Sequence, residues 1–244
     1  MAILFGVYKL GRLLGAHHAH EAFANAVGLW DVERALHLPS EENLQDWLLR
    51  LPSAVTAANV YYKFVHFPVT AAFLVWMYMR RPDHYRWARS VLAVMTGVAL
   101  AVHIAVPLAP PRMLTGLGFV DTAAVYGPGV YGAVRSDGLA NQFAAMPSLH
   151  VGWAMLVAVG LAVTTRSRWR WLWFAHPLIT LWVVVVTANH YWLDAAVALA
   201  ILAAVMLVLR PPARRHPDRE GSHDVHAHPT ARAHRSAPRD AVAA

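Results

Sequence analysis

Two short pieces of this chain hold the residue types that acid–base or nucleophilic chemistry needs: Pro147-Ser148-Leu149-His150 and, about forty residues on, His190-Tyr191-Trp192-Leu193-Asp194. Histidine changes charge near neutral pH, and its two ring nitrogens can be given different jobs. His190 and Asp194 are spaced so that on a helix both would project from one face, where the carboxylate reaches the imidazole. A carboxylate there fixes the tautomer and leaves the other nitrogen as a nucleophile or a base. His150 offers a second imidazole. Pro147 suits the first turn of a helix, and Ser148 could join free backbone N–H groups in holding phosphate oxygens.

The elements that must position these pieces are membrane helices. With 57% hydrophobic and only 14% charged residues over 244 positions, the chain is too apolar for an ordinary soluble domain. Apolar runs at 52–79, 88–107, 147–165, 170–189 and 190–209 are each long enough to span a bilayer. Residues 1–15, interrupted by Lys9 and Arg12, are short for a span and read as a partial first span or an interfacial helix. The predicted fold is an all-α polytopic membrane protein of about six transmembrane helices. Residues 52–209 form its transmembrane catalytic domain. In the preceding segment, 1–51, Glu33-Arg34 and Glu41-Glu42 among spaced leucines predict amphipathic helices on the membrane surface, one starting at Pro39-Ser40-Glu41-Glu42.

Between the second and third long runs, residues 108–146 carry Pro110, Pro111, Gly116, Gly118, Gly127, Pro128, Gly129, Gly132 and Gly138, which forbids one continuous helix. A loop of that length reads as a lid or re-entrant segment. Arginines cluster at Arg80, Arg81, Arg86 and Arg89, at Arg166, Arg168 and Arg170, and at Arg210, Arg214, Arg215 and Arg219. All three groups fall on one face, which the positive-inside rule makes cytoplasmic, so His150, His190 and the 108–146 loop share the outer face. Residues 210–244 read as a disordered cytoplasmic tail, whose His216, His223, His226, His228 and His234 could take up metal adventitiously. The alanine- and arginine-rich composition points to a bacterial cell membrane. There are no cysteines, so disulfides and thiolate metal sites are excluded.

Pro-Ser-x-His followed by His-x-x-x-Asp resembles the second and third signature motifs of the type-2 phosphatidic acid phosphatase superfamily. Leu149 at the third position makes it similar to the branch of inositol phosphorylceramide synthase. The resemblance covers roughly residues 52–209 and implies that His190 attacks phosphorus, Asp194 orients it and His150 protonates the leaving oxygen, without metal. It implies a lipid phosphate as substrate, such as phosphatidic acid, a polyprenyl phosphate or phosphatidylinositol, with water or an alcohol such as inositol as acceptor. The chain departs from the phosphatase pattern where Ser-Arg would precede the nucleophile: Val183 and Val184 stand there. The upstream motif of a Lys, spacers and Arg-Pro is also missing.

The phosphate-holding cations must therefore come from elsewhere. Arg112, behind Pro110 and Pro111, is the first candidate for a bidentate grip, with a solvated loop residue as the plain alternative; Arg135 is the second. Asn59, Tyr62, Lys63 and His66 share one helix face and could complete the pocket, Lys63 replacing the missing motif lysine and Asn59 or Tyr62 contacting the head group. The alternative is an interhelical hydrogen-bonded set with Lys63 reaching the surface. His103 and His176 have no partner in the sequence and read as packing residues. Tyr61-Tyr62, Trp169, Trp171, Trp173 and Tyr191-Trp192 mark span ends, where aromatic rings anchor at the interface.

A metal centre has a sparse donor set, since only Asp121 and Asp137 add carboxylates near His150, His190 and Asp194. No glycine-rich nucleotide loop is present, so no cofactor is expected, and the charge distribution argues for membrane lipids and not nucleic acid as partner. Two rivals stand beside the enzyme. One is a lipid-binding or transport protein, for which no internal repeat is found. The other is a structural subunit whose histidines only pack.

Overall fold

A computed structural model of the chain describes residues 19–127 and 142–212. The partial span expected over 1–15, Arg135 and Asp137, and the tail beyond 212 lie outside the described residues. Within them the chain is helical, and an isolated bridge between Leu108 and Ala144 stands in place of any strand.

Helices α1 (Ala19–Ala35) and α2 (Glu41–Leu49) come first. As the Pro39-Ser40-Glu41-Glu42 stretch predicts, Ser40 caps α2 by accepting the Asn43 N–H. Then follow α3 (Pro52–Phe64) and α4 (His66–Arg80), which meet at Val65 with a bend of 40°. The expected single run of 52–79 is therefore a broken one. Helix α5 (Pro82–Ala105) is 24 residues long, and a 3₁₀ stretch (Arg168–Phe174) leads into α8 (Ala175–Val186). α5 and the Arg168–Val186 pair are each long and apolar enough to cross a membrane, and the bent α3–α4 pair is a third candidate. Helices α7 (Leu149–Thr164, 16 residues) and α9 (Trp192–Val208, 17 residues) are apolar but shorter. Between α5 and α7 lie two 3₁₀ turns and a short α6 (Thr122–Tyr126), in agreement with a segment that cannot form one helix.

The core joins α4, α5, α7 and α9 through Phe73, Met77, Met95, Leu156, Ala198 and Leu202. A second cluster joins α2, α3, α7 and α8 through Leu48, Val55, Tyr62, Val151 and Val183 to Val186. Large apolar side chains also cover the outside, among them Tyr78, Met79, Leu100, Ile104, Leu178, Leu207 and Val208. Such a surface suits hydrocarbon and not water.

α1 and α2 do more than lie on a surface. Ala22 accepts the Ala109 N–H at 3.1 Å, and Asn25 donates to the Pro107 carbonyl at 2.9 Å. The Gln45 amide pairs both ways with the Val120 backbone, at 2.9 Å each. The N-terminal helices thus hold the segment that follows α5.

Close approach of α4 and α7 depends on Gly160, where a Cβ would come within 2.6 Å of the Phe73 ring, whereas a Cβ at Gly97 meets open space. Gly160→Ala is expected to lower the thermal midpoint in detergent, with a cost of about 1–3 kcal/mol for overpacking. Gly97→Ala, in a helix interior, is expected to raise it slightly, worth about 0.5–1 kcal/mol. Equal midpoints for the two variants would contradict this packing.

Candidate active site

The two histidine-bearing pieces meet. Ser148 N–H donates to the Asp194 carbonyl at 3.0 Å, and His190 Nδ1 donates to the Ala145 carbonyl at 2.9 Å. Each bond ties the entrance of α7 to the entrance of α9.

Helical spacing is not what joins His190 to Asp194. Helix α9 starts at Trp192, so His190 precedes it, and Asp194 folds back from the first turn. Its Oδ2 accepts the Tyr191 N–H at 2.9 Å and His190 Nδ1 at 3.2 Å. Both acceptors on Nδ1, a carbonyl and a carboxylate, require a hydrogen there, so in the neutral ring Nε2 carries the lone pair. The turn before His190 is tight: Ala188 takes a left-handed backbone (φ 53°). That conformation costs an L-residue roughly 1–2 kcal/mol. Asn189 N–H and His190 N–H both donate to the Val184 carbonyl, at 2.9 and 3.1 Å.

His150 stands in the first turn of α7 and is held from behind. Its ring stacks on Tyr62 with centroids 4.4 Å apart, and His66 tilts against it at 4.7 Å. The His190 ring lies 5.8 Å from it at 56°. The two imidazoles edge a common cavity of about 280 Å³, lined also by Tyr62, Arg112, His103 and Asn189.

Arg112 is buried in that lining. Its Nη1 donates to Asn189 Oδ1 at 3.0 Å, its Nε lies 3.6 Å from Asp121, and its backbone N–H donates to the Ala188 carbonyl at 2.8 Å. A guanidinium held at two points, on a backbone tied at a third, beside two imidazoles suits a tetrahedral oxyanion. The positions that carry Ser-Arg in the phosphatase pattern, Val183 and Val184, are buried in the core.

Other expected site residues do different work. Ser148 is fully buried and caps α7 toward Val151 N–H, so it serves the helix and is not part of the cavity lining; Pro147 precedes that cap and is not in the helix's first turn. Asn59 is spent: its amide donates to the Thr122 and Gly127 carbonyls, both at 3.0 Å, and accepts the Thr122 hydroxyl at 3.0 Å. It latches α6 to α3 with both amide hydrogens used, and it is not among the cavity-lining residues. Lys63 lies with Nζ 5.2 Å from the centre of the Phe64 ring and is not among the cavity-lining residues. His66 backs His150 and does not face the cavity.

His176 packs as expected, its Nδ1 2.9 Å from the Tyr61 hydroxyl. His103 does not only pack: its Nε2 donates to the Pro147 carbonyl at 3.2 Å while the ring lines the cavity. Asn189, Gln142 and the Ala145 carbonyl are site elements that sequence reasoning missed. The polar interruption Thr187-Ala188-Asn189 after four valines was a signal for the first of them.

A family model described as PAP2 superfamily matches residues 27–208. The chain is also 28% identical over 169 residues to a curated protein from Schizosaccharomyces pombe described as inositol phosphorylceramide synthase catalytic subunit aur1. That alignment covers 61% of this chain and 39% of the relative. No solved structure matches the chain significantly.

Arg112→Ala is expected to weaken binding of inorganic vanadate, measured by calorimetry in detergent, by about 10- to 100-fold, the size of a lost charge-assisted bond. Lys63→Ala, outside the cavity lining, should leave that affinity within about threefold, the scale of a partly solvated charge. Undiminished binding by Arg112→Ala would take this residue out of the site.

Proposed function

Since the chain belongs to the PAP2 superfamily, we propose that it cleaves or transfers the phosphate of a lipid-linked substrate through a phosphohistidine at His190. The observation that carries this reading is the doubly accepted Nδ1–H of His190, which leaves the Nε2 lone pair for attack. In the first step an Nε2–P bond forms as the P–O bond to the leaving group breaks, and a protonated His150 gives its proton to the departing oxygen. In the second, water or an alcohol attacks phosphorus, its proton passes to His150 and the N–P bond breaks. Arg112, oriented by Asn189, holds the equatorial oxygens throughout. No metal takes part in this scheme.

Transfer to an alcohol such as inositol is the second reading. It is supported by Leu149 in the second motif, by Val184 where the phosphatase pattern has Arg, and by the similarity to a protein described as an inositol phosphorylceramide synthase subunit. We place the reaction on the extracytoplasmic side on the strength of the arginine-rich short loops, and infer about six spans from the apolar runs and a bacterial membrane from the composition.

Purified protein incubated with phosphate-labelled dioctanoyl phosphatidic acid and quenched should carry label that is stable to alkali and labile to acid, with or without a chelator. His190→Gln should carry none. His150→Gln should form the phosphoenzyme about 10²- to 10⁴-fold more slowly, the usual contribution of a general acid. Label retained by His190→Gln would refute the assignment. Free phosphate as the sole product in the presence of inositol would exclude transfer under those conditions.

A further inference from the structure

Behind the site, the N-terminal helices bury a pair of carboxyl groups. Glu33 on α1 and Glu41 on α2 are both fully inaccessible to solvent. Glu41 Oε2 pairs with Arg34 Nη2 at 2.8 Å, and Glu33 Oε1 accepts the Leu193 N–H at 2.7 Å. Leu193 lies in the first turn of α9, where the N–H groups have no partner within the helix. The remaining oxygens, Glu33 Oε2 and Glu41 Oε1, are buried and have nothing to accept if both groups are ionised. One shared proton removes the conflict, because a neutral Glu33 can donate to Glu41. Burial, then the hydrogen bond to Glu41, pushes Glu33 up to about 9, so it is neutral at physiological pH. Nearby, Trp192 Nε1 donates to the Pro39 carbonyl at 2.8 Å, a second bond between the α1–α2 connection and the start of α9.

We propose that Glu33 is a positioning residue for the His190–Asp194 pair: by capping the first turn of α9 from outside, it fixes where the Asp194 carboxylate stands against the imidazole. The proposal rests on the reading of His190 as nucleophile. It explains why an uncharged acid, and not a carboxylate, stands there. The charged and titratable groups facing Glu33 are Arg34 on its own helix, Glu41 on α2, and Tyr191 and Asp194 at the entrance of α9. With Glu33 neutral and Glu41 neutralised by Arg34, no net negative charge competes with Asp194. The neutral form and its bond to Glu41 are kept below about pH 9 and lost as pH rises through that value.

The test compares Glu33→Gln, which keeps both hydrogen bonds, with Glu33→Ala and Glu33→Met, which remove the acceptor; Met also fills the space. Turnover of dioctanoyl phosphatidic acid is measured with hydrogen exchange of a peptide covering Tyr191 to Leu199. Glu33→Met and Glu33→Ala should lose about 100-fold in kcat with KM within about twofold, as expected for a catalytic group displaced on the order of 1 Å. Their Leu193 region should exchange faster. Glu33→Gln should match wild type in turnover and exchange at pH 7, and its Leu193 region should stay protected above pH 9, where the wild-type peptide, corrected for the intrinsic rate, loses protection.

Unchanged kcat in Glu33→Met, a loss shared by Glu33→Gln, or unchanged exchange would overturn the proposal. If neither truncated variant folds, a loss of protection above pH 9 that is identical in Glu33→Gln and wild type overturns it. Wild-type protein without turnover or phosphoenzyme would instead defeat the proposed function, and the exchange comparison, which needs no substrate, still decides for or against the role of Glu33.

Discussion

The site exists because two segments about forty residues apart are stitched together by hydrogen bonds to main-chain carbonyls. Ser148 N–H to the Asp194 carbonyl and His190 Nδ1 to the Ala145 carbonyl each cross from the entrance of α7 to the entrance of α9. Each bond is worth only about 1 kcal/mol net, but both are buried, and a buried polar group left unmatched costs more than the bond contributes. The two helix entrances therefore have one arrangement in which the backbone is satisfied. In it His150 and His190 share a cavity and Arg112 closes the third side. The His190 ring is thus both one of the stitches and a member of the site they assemble.

Much of the helical plan was readable from apolar run lengths and from Pro, Gly and Ser punctuation. The start of α2 at Glu41, the break of helix across 108–127 and the α5, α7 and α9 runs follow from those signals. The bend at Val65 also has a signal, Pro68, which has no N–H for the Phe64 carbonyl and whose ring crowds it, but the length of the apolar run outweighs it and the run reads as one span. That bend divides the polar face of Asn59, Tyr62, Lys63 and His66 between two helices. A single helical wheel assigned them one role. In space Asn59 latches α6, Tyr62 and His66 support His150, and Lys63 lies beside Phe64.

The candidate site was readable where residue type alone restricts the role. His190, Asp194 and His150 converge, and Arg112 is carried in by a loop that two prolines stiffen. Ser148 was ambiguous in principle: a serine at a helix start can cap the helix or hold an anion, and only the coordinates of Val151 N–H decide. Glu33-Arg34 and Glu41-Glu42 read as the polar part of amphipathic helices on the membrane surface, because such charged pairs are usually exposed. Burial of Glu33 and Glu41 depends on α9 arriving from the far end of the chain, which no local pattern records.

Placing the guanidinium on the segment between α5 and α6, and valine where the phosphatase pattern has Arg on the scaffold helix, has a thermodynamic consequence. Arg112 keeps its place through Ala188, Asn189 and Asp121, and its segment is tethered by Gln45 and Asn59. An anion that grips Arg112 therefore draws on the same free energy that orders this segment, so occupancy and local folding are linked functions. An anion bound there would be at once ligand and mortar.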